Sequence, residues 1–586
     1  MADATADQAE TQSGPMLAAD GTPLKRSLAR SLRMQRIRAL MLVAPLLIFV
    51  LLTFLSPIFD MLFRAVENRI VGDTLPRTVE VLKDWDPETS DVPPEAAFQA
   101  LYYDLFLAAE AKKHTRLGTR LNYEDPGISS LFRSSGRSLD DLGEDHIEAI
   151  EDTAKQDWRE GAFWYALLGG DAGEPVVESA RSQFVALEGE TPRGPVGVVW
   201  CGLRNVVGAP CPPSLSRMPL NFGLSNDAMA MLPTTSLQYA AFGVFTVLED
   251  GEALQEEDPW EAVYVAMAQD LAAPDAAAKV AAYTGPGAAE LQAAQQAIAA
   301  LPPISFRDGF AEIDEDWLDP TVWRSIKAYS PKYTPGYFLN AVDLEMGPDG
   351  VQARPESQQI YVMLFKRTLI MSMAITISCI MLGYPVAWLL SNLPDRKANM
   401  LMILVLLPFW TSLLVRTSAW KVMLQQQGVI NDTLVWLGIV SDTNRLVMIN
   451  NQFGTIVAMT HILLPFMILP LYSVMKGIPP SYLRAAKSLG ANNWTAFWRV
   501  YFPQSVPGIG AGSILVFILA IGYYITPELV GGTTGTFISN RIAYHISSSL
   551  NWGLAAALGS ILLVAVLVLY WAYDRIVGID NVKLGG

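Results

Sequence analysis

Six uncharged, apolar stretches constrain this chain more than any other feature of its sequence. They span residues 39–59, 368–390, 398–415, 453–475, 506–525 and 552–573. About 20 residues of α-helix cross a bilayer core of about 30 Å, and a helix is required because lipid offers no hydrogen-bond partner to backbone groups. One such stretch can be a buried helix of a soluble core. Six in one chain predict a membrane protein with six transmembrane helices.

The composition agrees with a membrane protein, and the charges are unevenly spread. Hydrophobic residues make up 51% of the 586 residues and charged residues 17%, whereas a soluble domain carries about 25% charged residues. Residues 65–362 hold 47 acidic and 21 basic side chains, and the rest of the chain holds 11 and 21. A water-soluble, acidic insert therefore interrupts a basic remainder. The net charge of −16 argues against nucleic acid as a partner, because phosphate binding requires a basic surface.

The lysines and arginines of the short flanking segments predict how the chain is threaded. Residues 25–38 contain six basic side chains and no acidic one, and residues 476–499 contain four basic side chains and no acidic one. Both segments belong in the cytoplasm by the positive-inside rule. Alternate threading then places both termini on the cytoplasmic side of the membrane and the insert outside. The stretch 39–59 could instead be a cleaved signal, but no small-x-small cleavage site follows it.

These features predict an all-α polytopic membrane protein with a large periplasmic insert between its first two transmembrane helices. The predicted parts are a disordered, basic cytoplasmic arm (1–38), a first transmembrane helix (39–64), the insert (65–362), a core with five transmembrane helices (363–575) and a cytoplasmic tail (576–586). The insert is too long to lack structure of its own, so we expect it to fold as a domain.

The apolar spacing inside the insert predicts a mixed α/β domain that is mainly helical. Helical spacing covers residues 97–113, 147–168 and 272–300, the last broken at 285–287, and strand-like runs cover 196–207 and 239–248. The acidity of the insert either keeps its surface soluble or attracts a cationic solute.

The three cysteines offer neither a metal site nor a dense disulfide framework. Cys201 and Cys211 would both face an oxidising compartment, so they either form a disulfide or remain as two buried thiols. Cys379 lies within an apolar stretch, where we expect it to pack. The sequence holds no cysteine–histidine cluster, phosphate-binding loop or catalytic motif. We therefore expect no enzyme activity, metal or cofactor, and any transport by this chain would draw its energy from a partner.

The most specific sequence is the connector at residues 478–503, which follows the fourth apolar stretch. Two prolines end the preceding helix, Ser481 is a favourable N-cap for a short helix, and Gly490 favours a helix stop. A second short helix, capped by an asparagine, is predicted to end at Pro503. The result is a helix-turn-helix elbow whose small side chains allow it to seat in a groove of a partner protein.

This connector resembles the EAA loop of ABC importer permeases. The pattern of that loop is E-A-A, three residues, G, nine residues and I-x-L-P, and here Ala485 and Ala486 are followed at the required distances by Gly490 and by residues 500–503. The sequence departs from the pattern at its first position, where Arg484 replaces the usual glutamate. That glutamate would complete a capping box with Ser481, whereas Arg484 places a cation near a helix N-terminus, which is mildly unfavourable.

Further stretches narrow the resemblance to permeases of the spermidine/putrescine type. They are residues 382–387, 408–412, 415–420 and 525–532. The resemblance implies one permease subunit of a type I ABC importer in a bacterial inner membrane. Its partners would be a periplasmic substrate-binding protein, a second permease subunit and ATPase subunits, besides membrane lipid. It implies docking of the ATPase on the EAA loop, through Ser481, Arg484, Ala485, Ala486, Gly490 and Pro503.

Aromatic and acidic side chains near two spans are candidates for the solute pathway. They are Trp410, Thr411, Tyr523, Tyr524 and Glu528. Such groups suit an organic cation through cation–π and ionic contacts, but aromatic residues also anchor helices at a membrane interface. Two alternatives remain from the sequence: the same importer class with ferric iron, an opine or a phosphonate as solute, or a membrane-anchored receptor or enzyme whose functional part is the insert.

Overall fold

The computed structural model describes residues 24–123, 126–189, 201, 214–347 and 350–577 of the chain. The chain divides into two units, one that ends at Ala65 and one that begins at Val66. The first unit contains helix α1 (Leu24–Val50) and helix α2 (Ser56–Arg64), which a π-helical turn at Leu51–Leu55 joins. Ser56 N–H donates to Leu51 O, five residues back, because Pro57 has no N–H with which to continue the α-helical ladder.

The second unit begins with the insert, which is mainly helical as predicted. Its first helices are α3 (Ile70–Thr74), α4 (Pro76–Asp84), α5 (Glu95–Glu110), α6 (His114–Leu121), α7 (Ile128–Ser138), α8 (Glu144–Glu151), α9 (Lys155–Trp158), α10 (Gly161–Leu168) and α11 (Glu174–Glu188). The later ones are α12 (Asn226–Met231), α13 (Pro233–Phe245), α14 (Glu261–Leu271), α15 (Ala276–Ala282), α16 (Ala288–Ile298), α17 (Phe306–Ile313), α18 (Pro320–Ala328) and α19 (Gly336–Asn340).

Two antiparallel strand pairs are the strand content described for the insert, and the second of them is a hairpin. Strand β1 (Gly169–Gly170) pairs with β2 (Gly223–Leu224), and β3 (Leu344–Gly347) pairs with β4 (Gly350–Ala353). The strand predicted at residues 239–248 is wrong, because that run continues α13 into a π-helical turn at Thr246–Asp250. A short apolar run that is buried on all sides has no amphipathic period, so it does not separate a strand from a buried helix.

The other elements predicted for the insert have mixed outcomes. The helix predicted at 97–113 is confirmed as α5. The stretch 147–168 forms three short helices, α8 to α10, and the stretch 272–300 forms α15 and α16, with Gly287 at a positive φ of 75° between them. The strand predicted at 196–207 lies outside the described residues apart from Cys201.

Two hydrophobic cores hold the insert together, and each contains a pair of buried tryptophans. In one core Trp323 Nε1 donates to Trp317 O at 2.8 Å. In the other, Trp164 Nε1 donates to Trp158 O at 2.7 Å. Both indoles therefore bury their large apolar faces while their polar N–H groups keep a hydrogen bond.

The membrane core follows the insert. Its helices are α20 (Tyr361–Asn392), α21 (Asp395–Trp410), α22 (Leu413–Met423), α23 (Val429–Trp436), α24 (Gln452–Lys476), α25 (Pro480–Ser488), α26 (Asn493–Ala496), α27 (Phe502–Gly522), α28 (Ile525–Val530), α29 (Gly532–Gly535), α30 (Ile538–Ser547) and α31 (Trp552–Val577). Across the described residues, five helical stretches are long and apolar enough to cross a membrane, and α21 with α22 forms a bent pair that makes up to six spans. The prediction of an all-α polytopic membrane protein is confirmed.

The third span differs from the predicted straight helix at 398–415. Helix α21 ends at Trp410, and α22 starts at Leu413 with a bend of 93° between the two. Thr411 and Ser412 have extended backbone, with ψ of 147° and 142°. Thr411 Oγ1 donates to Pro408 O at 3.0 Å, which gives a partner to a carbonyl at the end of α21.

The fifth span also differs from its predicted limits of 506–525. A continuous helical stretch runs from Asn493 to Gly522 through a π-helical turn at Phe497–Tyr501. Pro503 was predicted to end a separate short helix, but it lies in the first turn of α27. Phe502 N–H donates to Phe497 O, so the chain passes Pro503 by widening one turn and not by breaking.

Helices α20, α24 and α27 pack against one another around one core. Small residues allow α24 and α27 to approach closely, because a Cβ on Gly512 would lie 2.6 Å from Met467 Sδ and one on Gly508 would lie 3.0 Å from Val474 Cβ. Such contacts are the usual basis of helix association in membranes, where lipid tails compete for apolar surface.

The insert is fixed to the end of the core at which α20 and α31 begin. Asp343 accepts hydrogen bonds at 2.8–3.0 Å from the backbone N–H groups of Ile360, Tyr361 and Val362, and thereby caps α20. Tyr123 Oη donates to Ser549 O at 3.2 Å, and a Cβ on Gly553 would lie 2.4 Å from the Tyr337 ring. The insert and the core are therefore joined by side-chain contacts as well as by the chain itself.

A buried carboxylate in the insert predicts a pH dependence of stability. Asp104 Oδ2 accepts from Thr78 N and Thr78 Oγ1 at 2.8 and 2.9 Å. Burial raises the pKa of Asp104 from 3.8 to about 6, against the lowering effect of Arg77 and of the Thr78 hydrogen bonds. The folded protein therefore holds this proton at pH values where the unfolded chain has released it.

We expect the free energy of unfolding of the insert to fall as the pH rises through this window, by about 3 kcal/mol from Asp104 alone between about pH 4 and pH 7. The measurement is chemical denaturation of the full chain in detergent, followed by tryptophan fluorescence, for the wild type and for Asp104→Asn. The asparagine keeps an oxygen acceptor but does not titrate. A difference between the two proteins that stays constant with pH would contradict the assignment.

Candidate functional site: the connector and the pathway residues

The first limb of the connector is helix α25, which presents its small residues on an exposed surface. Arg484 and Ala485 are exposed, and Ala486 is half-buried. Ile478 and Leu483 pack against the core shared by α20, α24 and α27. One side of the limb is therefore held by the membrane core, and the other is open to a partner.

The N-terminus of α25 differs from the prediction that Ser481 caps it. The helix begins at Pro480, and Pro479 occupies the N-cap position with no side-chain cap hydrogen bond. Proline is favoured at the first helical position, because its missing N–H would have no partner there. Ser481 lies inside the first turn, so a glutamate at position 484 would not form a capping box with it.

The turn between the two limbs has the predicted glycine stop. Gly490 adopts a φ of +88°, and Ala491 N–H donates to Ala486 O at 3.1 Å across the turn. A Cβ on Gly490 would meet no atom within 4 Å, so glycine is needed for the left-handed backbone and not for space. Asn492 then caps the second limb, because its Oδ1 accepts from Thr495 N at 2.7 Å.

The second limb is anchored by an aromatic cluster. The Tyr384 ring, on α20, contacts the rings of Phe497 and Phe502 at centroid distances of 6.2 and 5.9 Å. Tyr384 Oη lies 2.9 Å from Ser505 Oγ, and Tyr501 Oη lies 3.2 Å from Ser391 Oγ. The sequence singled out residues 382–387 by resemblance, but it did not reveal that Tyr384 joins this span to the connector.

The free surface of the connector is apolar and basic. Leu489 is 89% exposed and Trp494 is 71% exposed, and Arg484, Lys487 and Arg499 are exposed as well. Large apolar side chains rarely stand in water without function, and aromatic residues with arginine are enriched at protein interfaces. The surface therefore has the composition of a docking site.

The predicted pathway residues lie at two breaks in the membrane helices. Trp410 and Thr411 lie at the bend between α21 and α22, and Tyr523 and Tyr524 separate α27 from α28. The two breaks are brought together by α22 and α28, which pack against each other. Thr417 Oγ1 lies 3.1 Å from Thr526 Oγ1 between these helices.

Their exposures differ. Trp410 is 70% exposed and Thr411 is also exposed, whereas Tyr523 packs partly against the shared core. Glu528 is exposed, and its Oε2 accepts from Asn540 Nδ2 at 2.6 Å. Asn540 Nδ2 also donates to Tyr524 O at 2.9 Å. The carboxylate is thus oriented by a residue of α30 that the sequence alone did not reveal.

A second polar contact near the bend was not predicted. Trp420 Nε1 donates to His461 Nδ1 at 3.1 Å, between α22 and α24. The two residues are 41 positions apart, and no sequence motif links them.

Two other predictions concern cysteines and metals. Cys379 is a buried free thiol, as expected for a packing residue. The predicted pairing of Cys201 involves Cys211, which lies outside the described residues, so it stays a prediction. Among the residues that the structure describes, no group of three or more histidine, cysteine, aspartate or glutamate side chains could hold a metal ion.

Comparison with known proteins adds to this geometry. Residues 365–577 match the family described as "Binding-protein-dependent transport system inner membrane component". The spermidine/putrescine transport system permease protein PotB of Salmonella typhimurium is 34% identical over 220 residues, which are 37% of this chain and 76% of the relative. PotB of Haemophilus influenzae is 37% identical over 211 residues, which are 36% of this chain and 73% of the relative.

Among solved structures, a bacterial ABC transporter involved in the import of the acidic polysaccharide alginate is similar, with a TM-score of 0.34 and 20% identity. The similar region covers 47% of this chain and 99% of that one.

The membrane helices, together with the family match and the PotB relatives, define a permease of a binding-protein-dependent ABC importer, which is a multi-pass inner-membrane protein and a transport component. The chain belongs to the binding-protein-dependent transport system inner membrane component family, and its resemblance to spermidine/putrescine permeases is confirmed. The family match begins at residue 365 and so does not include the insert.

Proposed function

We propose that the connector is the surface on which ATPase subunits dock, and that ATP binding and hydrolysis there drive solute through this permease. The observation that carries the proposal is the connector itself: an exposed, apolar and basic elbow, fixed to α20, α24 and α27 but free on its outer side. A rigid elbow can transmit a rigid-body motion from a partner into the helices that it joins.

The same proposal places the connector in the cytoplasm and the insert in the periplasm. Supporting it, the connector follows the last turn of α24, whereas the insert is fixed where α20 and α31 begin, at the other end of the core. The basic residues at 25–38 and 476–499 favour the same orientation. With the insert outside, a periplasmic binding protein would deliver solute at the same end as Tyr523 and Glu528.

We further propose a polyamine or a related organic cation as the solute, with a second permease completing the pathway. The names of the relatives and the aromatic and acidic groups at the helix breaks support this solute. Exposed apolar residues on α21 and α23, such as Leu404 and Trp436, support a second permease or lipid on that side. The relatives cover the core and not the insert, so the insert receives no role from them.

Gly490→Val is expected to uncouple transport. A β-branched residue at φ of +88° costs about 1–2 kcal/mol or more, which corresponds to roughly five- to thirtyfold weaker docking of the ATPase. Gly490→Asn is the matched control, because asparagine tolerates the left-handed conformation. The measurement is copurification of the ATPase subunits with the permease, together with ATP-driven uptake. Equal binding by the wild type and by Gly490→Val would remove the connector from its proposed role.

The topology is tested by two single cysteines in a cysteine-free background, one at Asp140 and one at Ser488. Both positions are exposed. A membrane-impermeant maleimide should label the first from the periplasmic side and the second only from the cytoplasmic side, and it should label both in detergent. Labelling of both from one side of the intact membrane would refute the proposed orientation.

Glu528→Gln is expected to slow cation uptake by roughly fivefold or more, because an amide removes the ionic attraction while keeping an acceptor for Asn540. Arg541→Gln, on the neighbouring α30, is the control and should have a smaller effect. Reconstituted vesicles with the binding protein and the ATPase would report uptake of labelled spermidine or putrescine. Transport of an anion or a metal chelate in place of these polyamines would contradict the proposed solute, but it would not contradict the assignment as a permease.

A further inference from the structure

The insert contains two series of features that recur in the same order along the chain. The first series lies within residues 66–172 and the second within residues 223–334. Each begins with a short extended segment and a Leu-Pro pair, continues with a helix that starts at glutamate and carries a buried aspartate nine residues later, and ends with two tryptophans six residues apart. Neither the family match nor any sequence motif points to this pattern.

The Leu-Pro pairs and the aspartates make the same hydrogen bonds. Leu75 has φ of −122° and ψ of 55°, and Leu232 has φ of −123° and ψ of 68°. Asp104 Oδ2 accepts from the backbone N and Oγ1 of Thr78 at 2.8 and 2.9 Å. Asp270 Oδ2 accepts from the backbone N and Oγ1 of Thr235 at 2.8 and 2.8 Å. In both series a buried carboxylate from one helix caps the start of the helix before it.

The tryptophan pairs also correspond. In each pair the second indole donates to the backbone oxygen of the first. The Trp164 ring meets Tyr264 edge-on at a centroid distance of 4.9 Å, and the Trp323 ring meets Phe98 edge-on at 4.7 Å. Tyr264 and Phe98 occupy the fourth position of α14 and of α5.

These ring contacts join a residue of one series to a residue of the other. The extended segments at the ends of the two series pair in the same way. The start of the first series pairs with the end of the second, through an antiparallel bridge between Glu67 and Tyr333. The end of the first series pairs with the start of the second, as β1 with β2. Helix α8 packs on α14 and α16, while α17 packs on α5 and α7. Each core is therefore built mainly from the first half of one series and the second half of the other, and α5 and α14 each also contribute residues to the other core.

We infer that the insert is two copies of one helical unit that have exchanged their second halves, and that the copy away from the membrane core is a module which the core does not need. The proximal lobe consists of residues 66–142 and 304–334, and the distal lobe of residues 143–303. Every hydrogen bond described between the insert and α20 to α31 comes from outside the distal lobe.

Two further observations support a separable distal lobe. The chain enters and leaves it at neighbouring points, because a Cβ on Gly143 would lie 3.7 Å from Ile304 Cδ1 and His146 Nε2 lies 2.8 Å from Pro302 O. The distal lobe carries 23 acidic and 7 basic side chains, whereas the proximal lobe carries 20 and 13. The net charges of the two lobes therefore differ, −16 against −7, while their buried hydrogen bonds remain alike.

Matched substitutions in the two lobes test the inference in the full chain, assembled with its ATPase subunits. The distal pair is Thr235→Val with Trp164→Ala, and the proximal pair is Thr78→Val with Trp323→Ala. Thr235→Val alone is a milder distal variant. The readouts are lobe-resolved hydrogen exchange, the amount of chain in the membrane that copurifies with the ATPase, and ATP-driven uptake of labelled spermidine.

We expect the distal pair to speed exchange in residues 143–303 by about tenfold or more while leaving exchange in the proximal lobe within about twofold of the wild type. Copurification and uptake should also stay within about twofold. The proximal pair should speed exchange in its own lobe and reduce copurification. Faster exchange in both lobes from either pair, or loss of uptake from the distal variants, would overturn the inference.

The uptake readout rests on the proposed solute, the copurification readout rests on the proposed docking of the ATPase, and the hydrogen-exchange readout rests on neither. If the wild type takes up no spermidine, the proposed solute fails, while exchange and copurification still decide whether the distal lobe is separable.

Discussion

Lipid gives the peptide backbone no hydrogen-bond partner, and the form of the membrane core depends on this constraint. It permits an interruption only where protein groups replace the lost helical bonds, and both interruptions next to the predicted pathway meet that condition. At the first interruption, the Thr411 hydroxyl donates a hydrogen bond to the Pro408 carbonyl of α21. At the second, Ser539 Oγ donates to Tyr523 O at 2.8 Å and Asn540 Nδ2 donates to Tyr524 O at 2.9 Å. Helix α30 thus supplies the partners that allow α27 to end inside the core.

Much of the fold could be predicted from the sequence, because uninterrupted apolar runs have few alternatives in a membrane. The number of spans and the helical insert followed from run length, composition and spacing. The bend after Trp410 did not, since a run without charge reads the same whether the helix is straight or broken. The strand predicted at 239–248 is wrong for a related reason: residues 239–246 are all buried, so this run has no polar face to reveal its period.

The candidate site was predictable where chemistry is local. Gly490 ends a helix through its own backbone conformation, and Asn492 caps a backbone N–H three residues later. Both effects are local, so the residue types alone indicate them. Ser481 shows the limit, because the helix starts one residue earlier, at the proline. Contacts between distant segments, such as Tyr384 with Phe497 or Glu528 with Asn540, have no signature in a single sequence. The paired tryptophans and aspartates of the insert likewise correspond only when their hydrogen bonds are compared.

The second limb of the connector continues into α27, so this stretch can move as one helix and transmit a motion along its length. A helix of the 30 residues from Asn493 to Gly522 is about 45 Å long. A tilt of about 5° at its connector end would move its far end by about 4 Å, which is more than the diameter of a water molecule, since displacement grows with the length of the arm. Tyr523 and Tyr524 stand at that far end. The widened turn at Phe497–Tyr501 lies close to the connector end of this stretch, so we expect its stiffness to set how much of a partner's motion reaches Tyr523 and Tyr524.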